Sequence, residues 1–326
     1  MSESITFAQA SNMAMDEALA TDESVFLLGE DIADREGGGV AKVTSGLSTK
    51  HGAHRVRSTP ISEQAIAGAA VGAAIAGMRP VAEIMLANFL AVAMDQIVNH
   101  AAKIRFMSGG QTGVPLTIRT MSGAGTGSGG QHSDMPEAWL AHVPGLKVVT
   151  GSTPAEVKGL LLSCIFDDDP CIFLETMPTY WDKGPAPEPG LRIPLGKANI
   201  ARSGGDLSVI SYGRPVAQVL ALAEKLGGEG IGVEVIDLRT ISPLDKETVL
   251  ASVARTGRAV VVHEAVTRFG VGAEISAMIA EELRGDARTP VVRVGSRNCP
   301  VPFTRVLEQE FMYSDARIEA AIREVM

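Results

Sequence analysis

Short apolar runs alternate with helical patterns along most of this 326-residue chain, and the alternation limits the possible folds more than any other feature. The runs typical of buried strands lie at 25–29, 80–85, 116–121, 146–150, 171–175, 207–213, 232–238, 259–264 and 290–294. The helical patterns lie at 6–20, 63–78, 90–107, 153–166, 215–227, 244–255, 271–284 and 315–325. Strands that are apolar throughout and separated by helices indicate a parallel sheet with helices on both faces, so we predict an α/β fold.

A proline-rich stretch at 177–197 interrupts this rhythm. Its prolines are Pro178, Pro185, Pro187, Pro189 and Pro194. Because proline fixes φ and has no amide hydrogen to donate, we expect an extended linker there. The sequence therefore predicts two α/β domains with parallel or mixed sheets, at residues 1–185 and 186–326.

Charge and composition exclude several classes of protein. With 29 Lys and Arg against 38 Asp and Glu, the net charge is −9, and no basic cluster suits a nucleic-acid backbone. Cys164, Cys171 and Cys299 are too few for a disulfide framework, which favours a reduced, cytoplasmic protein. The longest apolar run, 65–78, has 14 residues, fewer than the roughly 20 that span a bilayer. The first residues lack the basic and apolar regions of a signal peptide, so we expect a soluble protein with no membrane contact.

The segment Thr59-Pro60-Ile61-Ser62-Glu63 leads into a run made almost entirely of Ala, Gly, Val and Ile. Pro60 favours an extended backbone at Thr59, and Thr59 or Ser62 can cap the helix that follows. Glu63 then lies in the first helical turn, where the helix dipole favours a carboxylate. That placement alone is ordinary helix chemistry. Because so apolar a helix is expected to be buried, however, Glu63 is expected to be poorly solvated and suited to proton transfer.

A glycine-rich segment at 122–134 follows the third predicted strand and carries His132. Gly125, Gly127 and Gly130 fit a GxGxxG spacing, but the acidic residue that a dinucleotide-binding fold needs about 20 positions later is missing. The dinucleotide interpretation therefore fails. We interpret the segment instead as a mobile active-site loop that holds one imidazole.

Two further features bear on a ligand site. Phe89 comes just after the strand at 80–85, where α/β sheets place ligands, although a core phenylalanine is the ordinary interpretation. The run Asp167-Asp168-Asp169 could hold a cation, yet acidic turns before proline are usually only solvated. The sequence contains no GxxxxGK[ST] motif and no GDG followed by an Asn-bearing segment. The chain thus offers an acid, an imidazole and an aromatic ring without an evident place for a phosphate–metal group, which indicates half of a site.

Six stretches together resemble a known family. They are TPISEQAIAGAAVGAAIAGMRPVAEIM, NF with AMDQIVNHAAK, GGQHSDMPEAWLAHVPGLKVV, STPAEVKGLLLSCIFDDDPCIFLE, VIDLRTISPLD and VVVHEA. In one register from about residue 4 to 324, they resemble the β subunits of thiamine-diphosphate-dependent E1 components of pyruvate, branched-chain 2-oxo acid and acetoin dehydrogenases. The resemblance implies a transketolase-like fold with a pyrimidine-binding domain and a transketolase C-terminal domain. It also implies an α2β2 heterotetramer whose α subunit supplies the diphosphate and Mg²⁺ site, and transfer of an acyl group to lipoyl-E2.

The resemblance carries roles onto particular residues. Glu63 corresponds to the glutamate that hydrogen-bonds N1′ of the aminopyrimidine, Phe89 to the aromatic residue stacked on that ring, and Glu30 to a carboxylate beside the cofactor. His132 corresponds to the histidine near the substrate and the incoming lipoyl group. A K⁺ ion in many members lies near the segment that matches Cys164, Asp167 and Asp169, partly on backbone carbonyls.

Three departures from the family pattern leave two alternatives open. Asp134 stands where members commonly have Gln, Ser58 replaces the usual Asp, and Thr179-Tyr180-Trp181 replaces an LY[RK] segment. These positions are expected near substrate-side or interface surfaces. The alternatives are a heteromeric thiamine-diphosphate-dependent carboligase or lyase that works without lipoyl-E2, and a non-catalytic scaffold subunit of the same fold.

Overall fold

The computed structural model describes residues 4–284 and 290–326. Contacts divide the chain into two compact units, the first formed by Met1–Ser122 with Trp139–Leu195 and the second by Gly123–Ala138 with Gly196–Met326. The glycine-rich segment thus belongs to the second unit, although it lies within the first half of the sequence. The domain boundary expected between residues 185 and 186 stays a proposal.

The first unit is a parallel α/β unit whose elements follow the apolar pattern. Its elements are β1 (Ser4–Thr6), α1 (Phe7–Thr21), β2 (Val25–Glu30), α2 (Leu47–His51), β3 (Val56–Thr59), α3 (Glu63–Ile75), β4 (Arg79–Leu86), α4 (Leu90–Met94), α5 (Ile104–Met107), β5 (Thr117–Ser122), α6 (Glu137–Ala141), β6 (Lys147–Val149), α7 (Pro154–Ile165), β7 (Cys171–Thr176) and β8 (Lys183–Pro185). Helix α6 begins in the second unit and ends in the first. Its parallel strands lie in the order β6-β7-β5-β4-β2-β3. This order places the ends of β3, β2 and β4 side by side.

Burial explains why these runs became strands. β5 and most of β7 are buried residue after residue, as expected for a sheet covered on both faces. The main core of the unit joins α1 and α7 to the sheet through side chains such as Met15, Leu27, Leu161 and Phe173. Thr6 caps α1 and forms a reciprocal capping box with Gln9, which fixes where that helix begins.

Two sequence expectations in this unit were wrong in detail. The single helix expected at 90–107 is broken into α4, a π-helical segment at Asp95–Ala101 and α5. The stretch expected to be an extended linker begins instead with a 3₁₀ turn at Met177–Thr179. Its extended part is ordered against the unit, because β8 pairs antiparallel with β1 and the amide of Ile193 donates to the carbonyl oxygen of Gly159 in α7 at 3.2 Å.

The second unit has a smaller mixed sheet. Its elements are β9 (Asn199–Arg202), β10 (Leu207–Ser211), α8 (Pro215–Gly227), β11 (Val233–Asp237), β12 (Thr240–Ser242), α9 (Lys246–Thr256), β13 (Ala259–Val266), α10 (Val271–Glu282), β14 (Val292–Ser296), α11 (Arg305–Phe311) and α12 (Asp315–Val325). The strands lie in the order β14-β13-β10-β11-β9, and only β9 is antiparallel to its neighbour. Within the described ranges, no helix combines the length and apolar character that a bilayer crossing requires.

Candidate active site

Three predicted site residues lie at the carboxyl edge of the first unit's sheet. Glu30 is the last residue of β2 and pairs with Thr59, the last residue of β3. Glu63 begins α3 four residues after Thr59, and Phe89 ends a 3₁₀ turn (Ala87–Phe89) that follows β4 directly. Because neighbouring strands are about 4.8 Å apart, the structure brings these three residues to one edge, where parallel sheets bind ligands.

The charge of Glu63 acts on the carboxyl group of Glu30. Burial raises the pKa of Glu30, and the neighbouring charges of Asp31 and Glu63 raise it further. Like charges disfavour each other's ionised forms, so Glu30 retains its proton to a higher pH than a free glutamate does. Asp31, which follows β2, has a positive φ of 55°. The edge therefore holds a group prepared to exchange a proton.

Glu63 is less shielded in this chain than the sequence predicted. Its side chain is half-buried, and Ser62, Gln64 and Ala65 around it are exposed. Ile61, which precedes the helix, is 75% exposed. The expectation of a buried helix therefore holds for one face of α3 only. An apolar face that is exposed in the single chain is suited to being covered by a second chain.

The buried and exposed faces of α3 are both made mostly of small or apolar residues. The buried face carries Ile66, Ala67, Ala70, Val71 and Ala74. The exposed residues are Ala65, Ala69, Gly72 and Ile75, with Gln64 as the one polar residue among them. A helix whose exposed face is largely apolar is unusual at a protein surface. The residues of the exposed face suit close contact with another polypeptide.

A buried ion network lies behind this edge, and the sequence analysis missed it. The Arg119 guanidinium in β5 donates to Glu83 Oε2 at 2.7 Å and to Glu175 Oε2 at 2.6 Å, with 1% of the arginine side chain exposed. The hydroxyls of Ser11 and Tyr180 also donate to Glu175. Burial and the charge of Glu175 raise the pKa of Glu83, while Arg119 lowers it. The available signal was three charged residues inside otherwise apolar strands.

His132 belongs to the second unit, so the structure does not bring it together with Glu30, Glu63 and Phe89 within one unit. Its imidazole is exposed, and its backbone amide donates to the carbonyl oxygen of Gly129 at 3.2 Å. By contrast, His263 is fully buried, its Nδ1 lies 3.0 Å from the carbonyl oxygen of Ala265, and burial lowers its pKa to about 4. His132 is therefore the histidine of the pair that is accessible to a ligand.

The segment proposed for K⁺ is engaged by the chain's own cations. Lys147 Nζ lies 2.6 Å from both carboxylate oxygens of Asp167, and Arg105 forms an ion pair with Asp169. Arg79 donates to the carbonyl oxygen of Asp167 at 2.9 Å, and Cys164 is buried. In the part of the chain that the structure covers, no three His, Cys, Asp or Glu side chains are grouped to hold a metal. The K⁺ site stays a prediction that would rest on carbonyl oxygens rather than on these side chains.

The departures from the family pattern have identifiable surroundings. Ser58 Oγ accepts from the amide of Ala33 at 2.9 Å and donates to Glu36 Oε2 at 3.0 Å, so it braces the loop after β2. Trp181 is 65% exposed and lies edge-on to buried Tyr180, with ring centroids 6.2 Å apart. Asp134 is exposed on the segment that carries His132.

The two α/β units, with a carboxyl pair and an aromatic ring at the ends of parallel strands, define an enzyme of the transketolase-like class. Residues 3–181 match the transketolase pyrimidine-binding domain, and residues 196–318 match the transketolase C-terminal domain. The chain belongs to this family, within the group of E1 β subunits of thiamine-diphosphate-dependent 2-oxo acid and acetoin dehydrogenases. The fold and family expected from the sequence are thereby confirmed.

Several relatives are similar over nearly their whole length. The β subunit of acetoin:2,6-dichlorophenolindophenol oxidoreductase from Cupriavidus necator is 46% identical over an alignment covering 100% of this chain and 98% of that one. The 2-oxoisovalerate dehydrogenase β subunit from Bacillus subtilis is 40% identical, covering 98% of each chain. The pyruvate dehydrogenase E1 β subunit from Staphylococcus epidermidis is 43% identical, covering 92% of each. A solved split-gene transketolase, an inactive β4 tetramer, shares the fold with a TM-score of 0.79, 21% identity and 98% coverage of both chains.

Proposed function

We propose that this chain is the β subunit of an E1 component that cleaves acetoin or a 2-oxo acid such as pyruvate or a branched-chain acid. It acts with an α subunit in an α2β2 heterotetramer and passes the acyl group to lipoyl-E2. The proposal depends above all on the paired carboxyl groups of Glu30 and Glu63 at the sheet edge beside Phe89. The 46% identity to an acetoin-oxidoreductase β subunit favours acetoin among these substrates.

The residues at the edge fit the aminopyrimidine of thiamine diphosphate. That ring presents hydrogen-bonding nitrogens along its edge and an apolar face, which match a carboxyl group and an aromatic side chain. Glu63 would hold N1′ through its carboxyl group, and Phe89 would cover the ring face. The α subunit would hold the diphosphate with Mg²⁺, and a K⁺ ion would bind at the 164–169 turn.

When bound, the cofactor supplies the carbon nucleophile and the electron sink for cleavage next to a carbonyl group. The chain's own residues supply orientation and proton control. Glu63 would hold or release a proton at the ring nitrogen, and Glu30, whose pKa is raised by burial and by the charges of Asp31 and Glu63, lies at the same sheet edge. His132 is exposed on its loop, where it would orient the substrate carbonyl or the incoming acceptor.

The exposed face of α3 supports the need for partner chains. An apolar surface begins within one helical turn of Glu63 and continues along the helix through Ala65, Ala69, Gly72 and Ile75. A partner covering this face would also remove water from around Glu63. The half-buried state of Glu63 in the single chain and its proposed role in a dry site are then consistent.

The test is purification of the tagged chain from its source cells, followed by assays of the assembled complex with acetoin and a panel of 2-oxo acids. We expect an α-like partner to copurify and activity to depend on thiamine diphosphate. Glu63→Gln should lower kcat by about 100-fold or more while the complex stays assembled, because general acid–base groups contribute on that scale. Glu247→Gln, at the first turn of α9, is the matched control and should leave kcat unchanged.

Assays with and without lipoyl-E2 separate the alternatives. Acyl transfer that needs lipoyl-E2 supports the proposal. Ligated or cleaved product formed equally well without it would instead identify a carboligase or lyase, for which the exposed Asp134 and Trp181 are the specific motivation. A partner complex with no thiamine-diphosphate-dependent activity, or full activity of Glu63→Gln, would contradict the proposal.

A further inference from the structure

The glycine-rich segment of the second unit is held by a buried carboxylate from α11. Glu308 is only 2% exposed, and its Oε1 accepts from the amide of Gly125 at 2.7 Å. The amide of Gly127 lies 3.0 Å from Oε2 and 3.2 Å from Oε1 of the same side chain. One carboxylate therefore fixes two amides of the segment.

A second buried carboxyl group, that of Glu264, holds the residue just before Gly125. Glu264, near the end of β13, accepts from the amide of Ala124 at 2.8 Å. Arg214 donates to the carbonyl oxygen of Ala124 at 2.9 Å and lies 3.8 Å from Glu264 Oε1. Both polar groups of residue 124 are thus bound by side chains from the second unit.

The segment needs such contacts because its backbone is unusually free. Gly125, Gly127 and Gly129 all have positive φ, at 109°, 71° and 74°. Glycine loses more conformational freedom on ordering than any other residue, so these dihedrals do not persist without external bonds. The hydrogen bonds to the carboxyl oxygens of Glu264 and Glu308 supply those external bonds.

We propose that Glu308 and Glu264 are positioning residues that fix the glycine-rich segment and so set the location of His132. Glu308 is linked to His132 through the segment itself. Glu308 holds the amide of Gly127, and Gly129, two residues further on, accepts at its carbonyl oxygen from the amide of His132. The catalytic part of this inference rests on the role proposed above for His132. The clamp, by which we mean Glu264 and Glu308 with the backbone amides that they bind at 124–127, is a property of the single chain.

The clamp is tested by amide hydrogen exchange on the full chain, without any partner. We expect peptides covering residues 123–131 to exchange at least tenfold faster in Glu308→Ala than in the wild type. Glu308→Gln should show a smaller increase, because its single amide oxygen stands where Oε1 accepts from both glycines. Glu310→Gln, on the same helix but exposed, is the matched control and should match the wild type.

The link to catalysis is tested in the assembled complex. We expect Glu308→Ala to lower kcat at least tenfold with less than a threefold change in KM for thiamine diphosphate, and Glu308→Gln to restore much of the loss. A general loss of structure would lower assembly and cofactor binding together. If Glu308→Ala does not fold, Glu264→Ala, which removes the acceptor for the amide of Ala124, carries the comparison, and it should speed exchange at 123–131 and lower kcat in the same way.

The two possible failures are distinguishable. Unchanged exchange at 123–131 would overturn the clamp whatever the enzyme does. Faster exchange with unchanged kcat would overturn the positioning role. If the wild-type complex shows no thiamine-diphosphate-dependent activity, the proposed function fails, while the exchange data still decide whether Glu308 holds the loop.

Discussion

Arg119 and Glu175 form a fully buried ion pair across neighbouring parallel strands, with Arg119 Nη2 2.6 Å from Glu175 Oε2. The arginine is shared, because its Nη1 also binds Glu83 on the strand at its other side. A single cation thus serves two carboxyl groups in the middle of the sheet. Burial and the charge of Glu175 raise the pKa of Glu83, whereas the charge of Arg119 and its hydrogen bond lower it.

Removal of this cation should be strongly destabilising. Arg119→Leu leaves two buried carboxyl groups without their counter-charge, and loss of one partner of such a network costs about 3–5 kcal/mol in the free energy of unfolding. Urea denaturation of the chain measures the loss. Arg35→Leu, which breaks an exposed pair with Glu36, is the control and should cost about 1 kcal/mol or less. Similar losses for the two variants would contradict the importance of the network.

Glu264 gives the fold a specific dependence on pH. Its pKa is raised from 4.5 to about 7, chiefly by burial and also by the charges of Glu137 and Glu308, against the lowering effects of Arg214 and of the hydrogen bond from the amide of Ala124. Between those two pH values the folded chain binds more protons than the unfolded chain, so this group lowers stability as the pH rises. Once the pH has passed about 7, Glu264 is ionised in the folded chain as well, and the loss of stability that it causes does not grow further.

Glu264→Gln should therefore stabilise the chain more at pH 8.5 than at pH 5. The glutamine oxygen can still accept from the amide of Ala124, but the side chain no longer ionises. Thermal unfolding at intervals from pH 5 to 8.5 gives the difference in Tm between variant and wild type, which should widen with pH. Glu310→Gln, exposed on α11, should give a constant difference. A Glu264→Gln difference that stays constant or narrows as the pH rises would be inconsistent with the raised pKa.

The sequence predicts the regular part of this fold because buried parallel strands are apolar along their whole length. β5, β7, β10 and β13 lie where apolar runs indicated strands. The short strands β1, β8 and β9 were not predicted, since they are mostly exposed or half-buried and depend on pairing with distant residues. Apolar periodicity records burial and carries little information about edge pairing.

The candidate site was predictable only in part, for the same physical reason. Glu30, Glu63 and Phe89 follow strands directly, so the topology brings them to one edge. The Arg119 network was not predictable in detail, because its carboxylates come from strands on both sides of β5. Glu63 is more exposed than expected because the apolar composition of α3 predicted burial of the whole helix, whereas only one of its faces packs against the first unit.

The packing around His263 predicts a glycine that tolerates no side chain. A Cβ at Gly272 would lie 2.8 Å from His263 Nε2, and the ring is held in place by the contact of its Nδ1 with the carbonyl oxygen of Ala265 at 3.0 Å. Gly272→Ala should cost about 1–3 kcal/mol in the free energy of unfolding, measured by urea denaturation. Gly72→Ala, in helix α3 with nothing within 4 Å of a Cβ, should instead be neutral or slightly stabilising. Equal effects of the two substitutions would show that the ring can move.

The exposed face of α3 leads to a prediction about assembly rather than folding. Ala69 lies on that face, so Ala69→Arg should change the stability of the single chain by about 0.5 kcal/mol or less. In the proposed heterotetramer, a partner that covers this face would bury the same arginine, and association with partner chains should weaken by at least about tenfold, since unpaired charge is costly to bury. Sedimentation velocity of the mixed subunits over a concentration series measures this loss. Ala254→Arg, on an exposed position of α9, is the matched control and should leave the association unchanged. If Ala69→Arg assembles as tightly as the wild type, this face is not covered by a partner, and the water around Glu63 must be displaced in another way.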